Sequence, residues 1–294
     1  MSAASESGKT ITAFAPAKIN LALHVCGKRA DGYHLLDSLV VFADTGDTIS
    51  VQPSADLTLS ITGPFAGQLS EEKNNLALRA ANLLRAEGQG APGATIELEK
   101  SLPVASGIGG GSADAAATLR ACGQLWNIDP TCLSNTRLAA ELGADVPVCL
   151  FGESVFMSGI GEILEPVGPL PDFAMLLVNP GVSVSTKSVF STLKGYSDPL
   201  PRDAFSKLRN IEDLVGALSQ TRNDLATPAA ELAPQITDVL AALTGAEGCL
   251  LSRLSGSGAT CFGLFRTLNE AVRAGTQISA QNPGWWARPA ALLD

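Results

Sequence analysis

Four glycines and two serines crowd into Pro103-Val104-Ala105-Ser106-Gly107-Ile108-Gly109-Gly110-Gly111-Ser112-Ala113-Asp114. Glycine has no Cβ to keep its backbone away from an anion, and it accepts positive φ at little cost. Ala94 to Leu98 alternates like a strand and ends at Leu102-Pro103, while Ala115, Leu119, Cys122 and Trp126 follow the run at helical spacing. The glycines therefore feed a helix start, where unpaired N–H groups and the positive end of the helix dipole hold phosphate oxygens. Ser112 is placed to cap that helix. A bare glycine triplet is as often a flexible loop or a tight backbone contact; the strand before it and the helix after it favour a polyphosphate cradle. It is not a Walker loop, because Gly111 is followed by Ser112 where Gly-Lys-Ser/Thr is needed. The dinucleotide pattern G-x-G-x-x-G fails as well, since Ser112 stands three residues after Gly109.

The elements that must position this loop read as two domains. Short apolar runs at Ile11 to Ala15, Leu21 to Val25, Leu39 to Phe42 and Thr48 to Val51, with a turn at Ala30-Asp31-Gly32, predict antiparallel strands. Asn75 to Arg85 predicts a helix with Leu76, Ala80, Leu83 and Leu84 on one face. Three prolines and a glycine between Glu165 and Asp172 mark a boundary. Beyond it come a strand at Phe173 to Val178, helices between Ser185 and Leu243, strands at Cys249 to Leu254 and Thr260 to Phe265, a helix at Leu268 to Ala280 and a last strand near Trp285. That order suggests a split β-α-β sandwich. Thr267 and Glu270 form a capping box for the last helix. The expected division is a loose tail at residues 1–10, a nucleotide-binding domain at 11–166 and a second domain at 167–294.

Composition narrows the function. The chain has 294 residues, 46% of them hydrophobic, enough for a sizeable core. A formal net charge of −9 argues against nucleic acid or an anionic membrane as a standing partner, so any phosphate site is local. The six cysteines lie far apart among apolar neighbours and read as reduced core thiols of a cytoplasmic protein. Two histidines, His24 and His34, offer little ligand chemistry for zinc or a redox metal. No apolar run reaches transmembrane length.

Three stretches in order carry a resemblance across almost the whole chain. The loop resembles the second motif of the galactokinase, homoserine kinase, mevalonate kinase and phosphomevalonate kinase superfamily. Pro16-Ala17-Lys18-Ile19-Asn20-Leu21 is similar to its first motif, and Leu254-Ser255-Gly256-Ser257-Gly258-Ala259-Thr260 to its third. Arg29-Ala30-Asp31-Gly32-Tyr33-His34, Gly143-Ala144-Asp145-Val146-Pro147-Val148 and Asn179-Pro180-Gly181-Val182-Ser183 are similar to a branch acting on a cytidine diphosphate conjugate of methylerythritol. The resemblance implies an α+β fold, ribosomal-protein-S5-like in the first domain and ferredoxin-like in the second, with substrates in the cleft between them. It implies ATP-dependent phosphorylation of the conjugate's 2-hydroxyl on the non-mevalonate route to isoprenoids, by a monomer or homodimer. The rivals are a homoserine or mevalonate type kinase and an inactive nucleotide-binding relative.

The resemblance also distributes roles. Asp145 becomes the base and Lys18 the cation beside it, whereas the residues alone read Asp145 as a helix cap and Lys18 as a strand lysine. ATP falls to Pro103 through Ala113, with Asn75 and Lys100 on the adenosine side. The family has a second serine at the position of Ala113, so one hydroxyl contact is absent. Magnesium is expected on the phosphates and Ser112. Asn20, on the strand face of Lys18, suits the acceptor. Tyr33 would stack on cytosine, His34 bond its edge, and Phe190 close the sandwich, with Thr186 nearby.

Overall fold

The computed structural model describes residues 10–69, 74–88, 91–131, 139 and 141–293. The expected tail at 1–10, save Thr10, lies outside the described residues, as does Cys132. Strands and helices mix along the chain in an α+β fold that divides into two compact units interleaved in sequence. The first gathers the chain up to Ala15, Gly46–Leu102 and Gly111–Leu150; the second holds Pro16–Thr45, Pro103–Gly110 and Phe151–Asp294.

The four short N-terminal strands predicted from sequence are two long ones, β1 (Ile11–Lys28) and β2 (His34–Ser54). Pro16 and Gly46 interrupt the apolar pattern without ending either strand, and each strand contributes to both units. The predicted turn is there: Arg29 N donates to Tyr33 O at 2.7 Å, and Gly32 takes φ +93°.

In the first unit, β2 from Thr48 to Ser54 pairs antiparallel with β4 (Gly93–Glu99), which pairs parallel with β3 (Thr58–Thr62). Ala94, Ile96 and Leu98 alternate inward between exposed Thr95, Glu97 and Glu99, as a half-buried strand requires. Helix α1 (Leu76–Glu87) starts where Asn75 Oδ1 accepts from Ala77 N at 2.9 Å. It buries Ala77, Ala80, Ala81 and Leu84, so the inward face is rotated from the one predicted. Helix α2 (Gly110–Trp126) buries its residues on all sides from Ala113 to Leu119. The short α3 (Val146–Phe151) follows the turn at Ala144-Asp145.

The second unit is built on the antiparallel order β10-β7-β9-β8: β7 (Ala174–Asn179), β8 (Leu251–Leu254), β9 (Cys261–Phe265) and β10 (Trp286–Leu293). β7 is buried along its whole length, as a central strand covered on both faces must be. Helices α4 (Thr186–Ser191), α5 (Ile211–Leu218), α6 (Ala226–Leu232), α7 (Gln235–Thr244) and α8 (Leu268–Gln281) complete the order in sequence. α8 begins at the predicted capping box and packs on β7, β9 and β10. Its Gly275 lets it close on the sheet, since a Cβ there would stand 3.0 Å from Leu176. Leu176, Val178, Phe265, Ile236, Val239, Leu243 and Ile278 share one core. Each such side chain contributes about 1.5–3 kcal/mol on burial. The other end of β2 joins this unit, pairing with β5 (Val155–Gly159), which pairs with β6 (Ile163–Pro166).

Candidate active site

The glycine loop leaves β4 through Lys100-Ser101-Leu102 and enters α2 at Gly110. Ser112 is therefore inside the first helical turn rather than its cap. The helix begins three residues earlier than a Ser112 cap would place it, because Gly109, at φ +67°, already ends the left-handed part of the loop. The first-turn N–H groups thus belong to Gly110, Gly111 and Ser112, and small side chains there leave them accessible. Ala113 is buried. Ala105 at φ +50° and Gly107 at φ +78° give the loop its remaining left-handed turns.

Within the second unit, the first half of the loop is sandwiched between β1 and the third glycine-rich stretch. Lys18 N donates to Ile108 O at 2.9 Å, and the Lys18 stem lies across Gly109, where a Cβ would come within 3.1 Å of it. On the other side, Thr260 N donates to Ser106 O at 3.0 Å and Ser255 Oγ to Gly107 O at 3.2 Å. The approach is so close that a Cβ on Gly107 would stand 2.5 Å from Ser255 O, and one on Gly256 would stand 2.6 Å from Gly107 O. Ser106 Oγ turns back to Pro103 O at 2.7 Å. Val104 is half-buried and Pro103 buried.

Asn20 sits two residues beyond Lys18, fully buried. Its Nδ2 donates to Ser38 Oγ at 2.8 Å and its backbone N to Ser255 Oγ at 3.2 Å. Its Oδ1 has no hydrogen-bond partner among the described residues. A buried acceptor left in that state is costly unless something donates to it.

The same unit brings His34 and Phe190 together, their rings stacked 4.7 Å apart at 24°. Burial, then the charge of Lys28, pulls the His34 pKa below its ordinary value, so the ring is neutral at neutral pH. Tyr33 is 58% exposed, and its backbone N donates to Asp31 Oδ1 at 3.3 Å. Thr186, at the start of α4, shares a hydrogen bond of 2.8 Å with Ser257 Oγ.

Asp145 belongs to the first unit, half-buried in the turn before α3, with its carbonyl accepting from Cys149 N at 3.1 Å. Asn75 is buried and caps α1. Lys100 is no solvated lysine: its side chain is 2% exposed, and its ammonium lies between Asp47 and Asp114. Burial alone works to lower the Lys100 pKa, but the charges of Asp114 and Asp47 reverse that and leave it raised. Burial pushes Asp114 upward, against Lys100 and with the help of Asp47. Asp47 and Ser38 are contributors that sequence reasoning did not single out, while Ser255 was named there only as part of the third motif; Gly46-Asp47 inside an apolar run was the available signal for the first.

Comparison with known proteins accounts for this arrangement. Residues 75–153 match the GHMP kinases N terminal domain and residues 202–284 the GHMP kinases C terminal domain. A Cereibacter sphaeroides protein named 4-diphosphocytidyl-2-C-methyl-D-erythritol kinase is 52% identical over 282 residues, 96% of this chain and 99% of its own length. A protein of the same name from Paramagnetospirillum magneticum is 50% identical, covering 95% of this chain and 97% of its own. A crystal structure of 4-(cytidine 5'-diphospho)-2C-methyl-D-erythritol kinase superposes with a TM-score of 0.79 at 32% identity, over 96% of this chain and 99% of that one. Homoserine kinase from Cytophaga hutchinsonii shares the fold, with a TM-score of 0.71 at 21% identity over 100% of this chain and 97% of its own. With identity near one half along nearly its full length, the chain belongs to the 4-diphosphocytidyl-2-C-methyl-D-erythritol kinase family of the GHMP kinases.

Proposed function

We propose that the protein transfers the terminal phosphate of ATP to the 2-hydroxyl of 4-diphosphocytidyl-2-C-methyl-D-erythritol, giving the 2-phosphate and ADP in isoprenoid precursor synthesis. The observation that carries the acceptor side is Asn20 Oδ1, a fully buried oxygen without a partner among the described residues, two positions from Lys18. A substrate hydroxyl supplies the missing donor. On the donor side, the left-handed loop and the open first turn of α2 suit a polyphosphate.

Phosphoryl transfer through a loose transition state needs alignment and charge neutralisation more than covalent chemistry. Pro103 to Ala113 hold the phosphates, with Asn75 and Lys100 assigned to the nucleotide side. Asp145 takes the hydroxyl proton and Lys18 offsets charge on the reacting oxygens. Tyr33, His34, Phe190 and Thr186 bind the cytidine end; the stacked His34 and Phe190 rings offer a flat apolar face with a neutral imidazole edge. Ser112, half-buried in the first turn of α2, fits a magnesium ion held mainly by nucleotide phosphates. A magnesium ion held there by Ser112 and the phosphates would supply positive charge to offset that of the phosphate oxygens. Among the described residues no cluster of three or more His, Cys, Asp or Glu offers an all-protein cage for it. Thiols at Cys26, Cys122, Cys249 and Cys261 that stand outside any disulfide support a reducing, cytoplasmic setting. No helix among the described residues is long and apolar enough to cross a membrane.

The test is ADP release measured with the cytidine conjugate, homoserine and mevalonate side by side. Turnover confined to the conjugate is expected. Turnover with only a non-nucleotide alcohol overturns the acceptor assignment, and ATP binding without any turnover favours an inactive relative.

A further inference from the structure

The two carboxylates that enclose the Lys100 ammonium, Asp47 and Asp114, have no part in the chemistry just assigned, yet with Lys100 they hold the chain at both ends of the glycine loop. Asp47, on β2, spends one oxygen on the chain entering the loop: Oδ1 accepts from Ser101 N at 2.6 Å and from Leu102 N at 2.8 Å. Its Oδ2 accepts from the Lys100 ammonium. The same ammonium donates at 2.8 Å to Asp114 Oδ2, one helical turn past Gly110 on the chain leaving the loop. Lys100 itself is fixed on its backbone. Its N donates to Thr62 O at 2.8 Å, its O accepts from Phe65 N at 3.2 Å, and Gly63 at φ +91° packs so closely that a Cβ would stand 2.7 Å from Lys100 O. Asp114 is anchored through α2, where Thr118 Oγ1 donates to its carbonyl at 2.8 Å.

We propose that Asp47 and Asp114, bridged by Lys100, are positioning residues that clamp the entry and exit of the phosphate loop and so preorganise its N–H groups for ATP. Asp47, Lys100 and Asp114 all lie in the first unit. The side chains are 0–5% exposed, and ionisable groups in such a place are costly; apolar side chains of similar volume commonly give equal or better stability. What apolar packing lacks is direction. A carboxylate that accepts from two successive N–H groups and an ammonium fixes the orientation of residues 100–102, and the second carboxylate ties that orientation to α2. Gly107, Gly109, Gly110 and Gly111 have much backbone freedom to lose, so a loop closed at both ends loses less of it when the nucleotide binds.

This inference rests on the loop being the ATP cradle, and its test separates the two. Asp47→Asn, Asp114→Asn and the double variant would be compared with wild type by amide hydrogen exchange over residues 104–110 without nucleotide, and by KM for ATP and for the alcohol. Asp114→Asn is the milder change, since one hydrogen bond of its carboxylate is at stake, and it suffices if Asp47→Asn does not fold. The clamp predicts exchange in the loop at least tenfold faster with β7 and β9 unchanged. It also predicts KM for ATP raised about tenfold with KM for the alcohol within twofold, and a double variant no worse than the worse single one. Unchanged loop exchange overturns it, as do both KM values rising in step or additive losses. Wild-type protein that fails to bind ATP while the variants still loosen the loop refutes the cradle and leaves the clamp standing.

Discussion

Gly107→Ala puts the packing of the loop on the third glycine-rich stretch to a quantitative test. Gly107 sits at φ +78°, and an added Cβ would meet Ser255 O at 2.5 Å, Gly258 N at 2.6 Å and Gly258 O at 2.7 Å. These are backbone atoms, so no rotamer change relieves the clash. A left-handed alanine costs about 1–2 kcal/mol. Separating the two segments also gives up the Ser255 Oγ to Gly107 O and Thr260 N to Ser106 O hydrogen bonds, about 1 kcal/mol each. The sum is about 3–4 kcal/mol, a substantial part of the roughly 5–15 kcal/mol that holds a folded protein together. For a chain of this length that lowers Tm by roughly 5–6 °C. Gly32→Ala isolates the first cost: φ is +93°, nothing lies within 4 Å of the new Cβ, and about 1–2 kcal/mol is expected. Gly284→Ala, with open space and no positive φ, is the neutral control. Thermal melts of the three variants, with KM for ATP measured on each, decide the matter. Gly107→Ala melting with Gly32→Ala and keeping a wild-type KM for ATP would refute the reasoning.

Three further outcomes follow from the second unit. Phe190→Ala removes the ring stacked on His34; at about 1–3 kcal/mol per base–aromatic stack, KM for the cytidine conjugate rises about 5- to 150-fold while KM for ATP holds, and steady-state kinetics in which both rise would exclude the assignment. Because the His34 pKa is lowered, the unfolded chain binds the extra proton first; this contribution to stability is present above the ordinary histidine range near 6.5 and is lost as pH falls through the lowered value. Conjugate affinity, which uses the neutral ring, weakens in the same window, and a pH series of KM with and without His34→Gln checks it. Asp37→Ala unpins the segment after α4, since Asp37 accepts from Leu200 N at 2.9 Å and from Arg202 at 2.6 Å. The Arg202 guanidinium lies 3.9 Å from the Phe156 ring centre. With Arg202 one-third exposed its Coulomb share is discounted, and urea denaturation should show a loss of about 1–3 kcal/mol.

Local rules were enough where local chemistry decides the structure. Thr267 and Glu270 announce the start of α8, and the alternation through Ala94 to Leu98 announces β4. They failed where long-range pairing decides. Pro16 and Gly46 look like strand ends, but pairing carries β1 and β2 through them. β3, with exposed Thr58, Ser60 and Thr62, has too little apolar content to stand out and exists because β4 pairs with it. β6 is similar, largely exposed and held by β5. Among the site residues, the loop was legible from glycine chemistry alone, although its helix starts at Gly110 rather than after Ser112. Lys100 was not, because nothing near it in sequence reveals that Asp47, 53 residues away, returns to meet its ammonium. Roles for Lys18, Asn20, Tyr33, His34, Asp145 and Phe190 came from resemblance, since a single lysine or aspartate among apolar neighbours has no signature of its own.

The most direct test of the account follows the terminal phosphate of labelled ATP onto the cytidine conjugate, with wild type and Asp145→Asn side by side and binding of both substrates measured on each. Wild type is expected to place one phosphate on the 2-hydroxyl. Asp145→Asn should lose about a hundred- to ten-thousand-fold in rate, with both binding constants within a few-fold, because the base is gone and little docking surface with it. Label appearing on homoserine or mevalonate but not on the conjugate, or near-normal transfer by Asp145→Asn, would contradict it.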